Sequence, residues 1–218
     1  MSRETHYTKG EEIAHSVTHG VGAALAGAGL WVLCVSAGGG DVLRVVSAAI
    51  YGATLLTLYL SSTLYHALTA PRWKAFFHVM DHAAIFLLIA GTYTPVLLVG
   101  VRGGGHPGWA WSLFGGEWGL AAAGVAFKVF FTGRFKVAST LVYVGMGWVV
   151  VVAAKPMLVS LTAGALWWLL AGGLAYTLGT VFYLMKGVRY HHAVWHLFVL
   201  AGSVCHFAAV TWHLLPGR

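Results

Sequence analysis

Charged residues are scarce in this chain. Asp, Glu, Lys and Arg together make up 9% of its 218 residues, whereas 59% are hydrophobic. A soluble domain carries roughly 25% charged residues, so this composition excludes a water-soluble fold and indicates a chain that lives in a bilayer. The 13 Lys and Arg outnumber the 6 Asp and Glu, but they form no basic run. The positive net charge therefore favours membrane-flanking loops, and we expect no nucleic-acid partner.

Cysteine is nearly absent. Cys34 and Cys205 both lie in apolar stretches without redox or metal-binding spacing, which predicts two free thiols and no disulfide framework. The chain also lacks a short apolar segment that ends at a small-residue cleavage site. We therefore expect no cleaved signal peptide, because the first twelve residues, MSRETHYTKGEE, are polar.

Long apolar stretches are abundant. A helix that crosses a membrane needs about 20 mostly apolar residues, and we count seven such spans. Their approximate bounds are Ala14–Ser36, Val42–His66, Phe77–Val99, Glu117–Phe131, Val137–Ala154, Ser160–Met185 and His192–Leu214. Only the Gly-rich connection 101–116 is long. The pattern predicts an all-α integral membrane protein, a seven-helix bundle in one domain over 1–218 with a polar N-terminal segment, 1–12.

The distribution of Lys and Arg between the connections predicts the orientation, because cytoplasmic loops carry an excess of both. With the N-terminus in the cytoplasm, the inner segments hold eight of these residues and the outer segments four. The inner set is Arg3, Lys9, Arg72, Lys74, Arg134, Lys136, Lys186 and Arg189, and the outer set is Arg44, Arg102, Lys155 and Arg218. We therefore expect a multi-pass cell-membrane protein with its N-terminus inside and its C-terminus outside.

Ionisable residues inside the spans predict a functional site. Asp81 is the only acidic residue inside the predicted apolar stretches. A charge at the centre of a span costs roughly 2.5–3.5 kcal/mol on insertion scales, so such a residue marks a functional site by default. Serine and histidines accompany it in the patterns Ser62-x3-His66, His78-x2-Asp81-His82 and His192-x3-His196.

The predicted topology brings these patterns to one membrane depth. Span two ends, and spans three and seven begin, at the cytoplasmic side, so all three patterns lie just below that surface. Residues four apart share a helix face, so His192 and His196 are neighbours. Three imidazoles and a carboxylate are a ligand set that a metal ion would select. The sequence therefore predicts a metal site at His66, His192 and His196 beside Asp81, with His15 and His19 of span one at a similar depth.

These patterns resemble the hemolysin III family. The motifs are Ser61-Ser-Thr-Leu-Tyr-His66, His78-Val-Met-Asp-His82 followed by AAIFLLIAGTYTP, His192-Ala-Val-Trp-His196 followed by LFVLAGSVCHF, and the opening Glu12-Ile-Ala-His15-Ser-Val-Thr-His19-Gly20. The family is the bacterial branch of the progestin and adipoQ receptors, within a wider group of membrane hydrolases that includes alkaline ceramidases. The resemblance covers the chain from span one to span seven.

The resemblance implies seven helices, a cytoplasmic N-terminus and a zinc ion bound by His66, His192 and His196. It also implies that Asp81 holds a water on that zinc and that Ser62 belongs to the same constellation. We therefore expect a zinc-dependent hydrolase that acts on an amide or ester bond of a membrane lipid. Asp81 would be the general base, and Ser62 would orient the water or help to hold the developing oxyanion.

Other functions remain compatible with the same residues. A non-catalytic sensor or receptor would use zinc to hold the helices together, with Asp81 supporting the ligands. A membrane-perturbing, hemolysin-like protein is another alternative, although short loops are not typical of a pore-forming toxin.

A haem protein is disfavoured because His192 and His196 share one helix face, whereas haem takes one ligand on each side. A proton-coupled transporter is disfavoured by the absence of internal repeats. A membrane lipid is the expected substrate or ligand, and no motif specifies an oligomeric state.

Overall fold

Seven helices of membrane-spanning length make up the fold. A computed structural model describes residues 7–39, 41–185 and 187–215, and these residues contain no strand. The helices are α1 Lys9–Ala37, α2 Val42–Ala67, α3 Pro71–Val101, α4 Pro107–Phe131, α5 Lys136–Ser160, α6 Ala163–Leu184 and α7 His191–Leu214. The prediction of an all-α, seven-helix membrane protein is confirmed. Three residues used to predict its orientation, Arg3, Lys186 and Arg218, lie outside the described residues.

The polar segment predicted to precede the first span is partly helical. α1 begins before the predicted Ala14 because Thr8 and Glu11 form a capping box. Glu11 N donates to Thr8 Oγ1 at 3.3 Å, and Thr8 N donates back to Glu11 Oε2 at 2.9 Å. Glu12 therefore belongs to the first turn of a span. Residues 1–6 of the predicted segment lie outside the described residues.

The long Gly-rich connection predicted after the third span is also mostly helical. α4 begins at Pro107 and not at Glu117, with proline in the first turn, where its fixed φ suits a helix. Glu117 consequently lies well inside α4, and only 1% of it is exposed. The prediction that Asp81 is the only acidic residue within the spans is therefore wrong.

A 3₁₀ segment, Val149–Ala153, interrupts α5. Tyr93 of α3 lies against this interruption. Its hydroxyl donates to Gly147 O at 2.9 Å and accepts from Val150 N at 3.0 Å. Because lipid offers no hydrogen bonds to free backbone groups, this side chain satisfies the backbone where the α-helical pattern is lost.

The lack of a side chain at Gly22 lets α1 pack closely on α2. A Cβ built at Gly22 would lie 2.5 Å from Cδ1 of Tyr59. The Tyr59 hydroxyl donates to Ser203 Oγ at 2.7 Å, and Tyr176 also bonds that oxygen at 2.7 Å. The glycine therefore preserves a buried network that joins α2, α6 and α7.

The Gly22→Ala variant is expected to unfold more easily, because the added methyl group displaces the Tyr59 ring. Overpacking of this kind costs about 1–3 kcal/mol of unfolding free energy. Gly27→Ala is the matched control on the same helix, since a Cβ there has no neighbour within 4 Å. Thermal unfolding in detergent should show a lower midpoint for Gly22→Ala alone, and equal midpoints would contradict the close packing.

Candidate metal centre

Three buried histidines converge at one end of the bundle. His66 lies in the last turn of α2, and His192 and His196 lie in the first turns of α7. One ring nitrogen of each lies within 4.8 Å of those of the others, so the cluster could hold a metal ion. The ring centroids of His192 and His196 are 4.6 Å apart, and that of His66 lies 5.4 Å and 5.5 Å from them. The structure thus brings together the three residues predicted as ligands.

Glu12 orients the His66 ring. Its Oε2 accepts a hydrogen bond from His66 Nδ1 at 2.6 Å, and its Oε1 accepts one from Lys74 Nζ at 2.8 Å. Because this bond places the proton on Nδ1, the lone pair of His66 lies on Nε2. That atom is buried and has no hydrogen-bond partner among the described residues. A carboxylate behind an imidazole is a common support for a metal-binding histidine, which it orients and makes more basic.

His196 is oriented in a similar way by α1. Its Nδ1 lies 3.2 Å from the carbonyl oxygen of His15 and 3.1 Å from Thr18 Oγ1. A carbonyl only accepts, so Nδ1 carries the proton and Nε2 is left available for a metal. Nδ1 of His192 is buried without a partner among the described residues. The cluster therefore offers a metal ion two buried ring nitrogens without a hydrogen-bond partner among the described residues, His66 Nε2 and His192 Nδ1. Metal binding needs the neutral form of each imidazole.

Asp81 of α3 lies beside this cluster. Its side chain is 15% exposed, and it lines the same cavity as the two α7 histidines. It lies close enough to His66 and Ser62 to interact with both, although Ser62 Oγ makes no hydrogen bond of normal length and angle to a described group. The nearer imidazole, His82, has its Nδ1 3.7 Å from the carboxylate. That nitrogen already donates to a carbonyl of the preceding turn.

The sequence pattern assigns neither Glu12 nor His15 to the site, yet both contact it. Glu12 bonds His66, and the centroid of the His15 ring lies 4.7 Å from that of His66. Glu12, His15 and His66 form a second group whose ligand atoms lie within 4.8 Å of one another. The three-residue spacing of Glu12 and His15, which puts both on one face of α1, is the signal that could have identified them.

A mostly apolar cavity of about 130 Å³ extends from the cluster into the bundle. It lies mainly between α3, α5, α6 and α7, with one lining residue each from α1 and α2. Its lining on α3 runs from Asp81 to Tyr93, which is about 18 Å of helix. Leu88 and Val199 are among the buried apolar residues along it. Gly147 of α5 also lines the cavity, and it is exposed although it lies near the middle of a membrane-spanning helix. It marks the place where the cavity would open toward lipid.

The chain is similar to known proteins over nearly its whole length. A family model described as Haemolysin-III related matches residues 7–207, a range that contains every residue of the cluster. Hemolysin-3 of Bacillus cereus is 45% identical over 99% of this chain and 97% of its own length. The Hemolysin-3 homolog of Bacillus subtilis (strain 168) is 42% identical over 95% of this chain and 96% of its own. Monocyte to macrophage differentiation factor of Homo sapiens is 31% identical over 78% of this chain and 71% of its own.

Proposed function

The chain belongs to the hemolysin III family of multi-pass membrane proteins, and we propose that it is a zinc-dependent hydrolase of a membrane lipid. The bond it cleaves is an amide or an ester, and His66, His192 and His196 are the zinc ligands. One observation carries this proposal: Asp81 and the α7 histidines line the same apolar cavity as Gly147, which is exposed near the middle of a span. An apolar cavity of this kind suits part of a lipid acyl chain, whose polar linkage would then lie at the histidine cluster.

The donor atoms of the cluster fit zinc. Imidazole nitrogens are among its preferred ligands, and three of them leave one tetrahedral position for a water or a substrate oxygen. His66 Nε2 and His192 Nδ1 are buried without a hydrogen-bond partner among the described residues. Each such atom costs about 1–3 kcal/mol when it stays unsatisfied. Ligation of an ion would satisfy one nitrogen of each ring.

The residues around the cluster supply the remaining chemistry. A bound zinc ion polarises a carbonyl and lowers the pKa of a water to about 7. Asp81, which faces the cavity beside the histidines, accepts the proton of the attacking water as general base. Ser62 Oγ has no hydrogen bond of normal geometry in the structure, so it can orient that water or donate to the developing oxyanion. The apolar lining keeps bulk water from the reacting bond.

We further propose that the site lies near the cytoplasmic face. Glu12, His66 and Lys74 place it at the end of the bundle where α1 begins. Among the described residues, this end carries more Lys and Arg than the other, which favours a cytoplasmic location. The basic residues at this end are Lys9, Arg72, Lys74, Lys128, Arg134, Lys136 and Arg189, and those at the other end are Arg44, Arg102 and Lys155.

Metal analysis combined with a turnover assay tests the proposed function. The purified protein should contain one zinc ion per chain and should hydrolyse a lipid amide or a lipid ester supplied in detergent or vesicles. Chelation should abolish the hydrolysis, and added zinc should restore it. A zinc-free preparation, or turnover that is unchanged after chelation, would contradict the proposal.

The Glu12→Gln variant should bind zinc about 10- to 100-fold more weakly, the usual loss when the support of a metal-binding histidine is removed. The amide loses the charge that holds the proton on His66 Nδ1. Glu11→Gln is the matched control, because Glu11 bonds Thr8 and the backbone N–H of Tyr190. Competition with a chromophoric chelator measures both affinities, and equal values would exclude the supporting role of Glu12.

A second candidate function is a membrane sensor in which zinc is structural. The buried imidazole of His15 beside the three proposed ligands favours it, because structural zinc sites are closed by four protein ligands. Metal removal separates the two functions. A structural ion should leave a bundle that unfolds at a lower temperature, whereas removal of a catalytic ion should leave a folded and inactive protein.

A further inference from the structure

A fourth imidazole stands among the three proposed ligands. His15 of α1 is fully buried, and neither of its ring nitrogens has a hydrogen-bond partner among the described residues. Its ring centroid lies 4.7 Å from that of His66, 4.8 Å from that of His192 and 5.5 Å from that of His196. A buried nitrogen without a partner costs about 1–3 kcal/mol, so the position of this side chain requires an explanation.

The spacing of the four rings is that of a tetrahedral site made of four imidazoles. With a zinc–nitrogen distance of about 2.0–2.1 Å, each ring centroid lies about 3.2 Å from the ion, and centroids at tetrahedral corners are about 5.2 Å apart. The six distances among the four rings range from 4.6 to 5.5 Å. The four ring centroids therefore lie near the corners of a tetrahedron. One nitrogen each of His66, His192 and His196 already lie within 4.8 Å of one another, whereas the His15 ring must turn to bring a nitrogen to the same centre.

His19, the next histidine on α1, does not have this geometry. Its ring stacks on His196 with centroids 3.4 Å apart and an interplanar angle of 10°. Two rings stacked face to face direct their nitrogens side by side and not toward a shared centre. His19 is buried at a similar depth on the same helix, so it provides a matched control for His15.

We propose that His15 is a fourth metal ligand, supplied by α1, which closes the site in the resting protein. The inference rests on the proposed zinc site of His66, His192 and His196. His15 holds the position that a water or a substrate carbonyl needs, so its withdrawal is the step that opens the site.

Azide binding to the cobalt(II)-substituted protein tests this inference, because azide changes the visible spectrum of cobalt only where it reaches the ion. The wild type and His19→Asn should resist azide, and His15→Asn should bind it. If His15 is ligated at least nine-tenths of the time, the wild type should bind azide about tenfold more weakly than His15→Asn or worse. Equal azide affinity in the wild type and His15→Asn would overturn the inference.

X-ray absorption of the zinc-loaded wild type gives an independent reading that needs no variant. Four imidazoles around zinc are expected, and three imidazoles with one oxygen would overturn the inference while leaving the proposed zinc site in place. A wild-type protein that binds neither zinc nor cobalt would overturn both proposals. The metal content of the same samples thus distinguishes failure of the fourth ligand from failure of the site.

Discussion

Replacing both α7 histidines, as His192→Ala with His196→Ala, should reduce the zinc content of the purified protein from one ion per chain to none. Zinc sites made of four protein ligands bind with about 10–16 kcal/mol. Two lost ligands should remove roughly half of this, or about 5–8 kcal/mol, which is four to six orders of magnitude in affinity. An ion held only by His66 and His15 would be lost during purification, and elemental analysis measures the loss directly.

The control for this double variant is His213→Ala, which removes a histidine at the opposite end of the same helix. His213 Nδ1 lies 3.3 Å from Thr162 Oγ1, and the residue takes no part in the cluster. The control protein should keep its zinc and its thermal unfolding midpoint. A double variant that is folded and still carries one zinc ion per chain would disprove the assignment of the ligands.

The three candidate ligands could be predicted from the sequence because their convergence depends on simple regularities. Helix length fixes which end of the membrane each residue reaches, and a spacing of four fixes which face it occupies. These two rules bring His66, His192 and His196 to one level and one face, together with other histidines, and the resemblance to the family singles them out as ligands. The depth assignment needs only the end of span two and the start of span seven, and both predicted bounds lie within one residue of the helix ends.

The remainder of the site depends on contacts that such rules do not contain. Glu12 is polar and close to the N-terminus, so hydropathy placed it outside the first span, although a capping box extends the helix to include it. α4 begins in a Gly-rich segment whose local propensity favours a loop, and packing in the bundle overrides that propensity. The cavity arises from side chains of six helices that face one another. No periodicity in the chain encodes that packing.

Among the described residues, Asp81 and Glu117 are carboxylates well inside the spans, with 15% of the Asp81 side chain and 1% of Glu117 exposed. Asp81 lines the cavity beside the histidines, whereas Glu117 of α4 does not line it. Both carboxylate oxygens of Glu117 are buried without a hydrogen-bond partner among the described residues. Burial of an acid within a span is therefore not enough to identify a catalytic base here. A catalytic base must also lie beside the histidine cluster and line the cavity. Asp81 meets this criterion and Glu117 does not, so substitutions of these two residues form a matched pair.

Asp81→Asn should reduce lipid hydrolysis by about 10²- to 10⁴-fold, the usual contribution of a positioned general base. The amide has nearly the same size as the carboxylate but cannot accept the proton of the attacking water. Zinc content should stay at one ion per chain, because Asp81 is not among the proposed ligands. Turnover of a fluorescent lipid amide and a fluorescent lipid ester, measured beside elemental zinc analysis of the same sample, checks both expectations.

Glu117→Gln makes the same chemical change at the other buried carboxylate and should leave turnover within a few-fold of the wild type. Full turnover in zinc-loaded Asp81→Asn would exclude Asp81 as the base. Loss of zinc together with turnover in that variant would instead show that Asp81 supports the metal and does not transfer the proton. Equal losses of turnover in both variants would mean that a buried negative charge matters for the bundle as a whole. Only selective loss at Asp81 with zinc retained fits a carboxylate that takes a proton beside the histidine-bound ion.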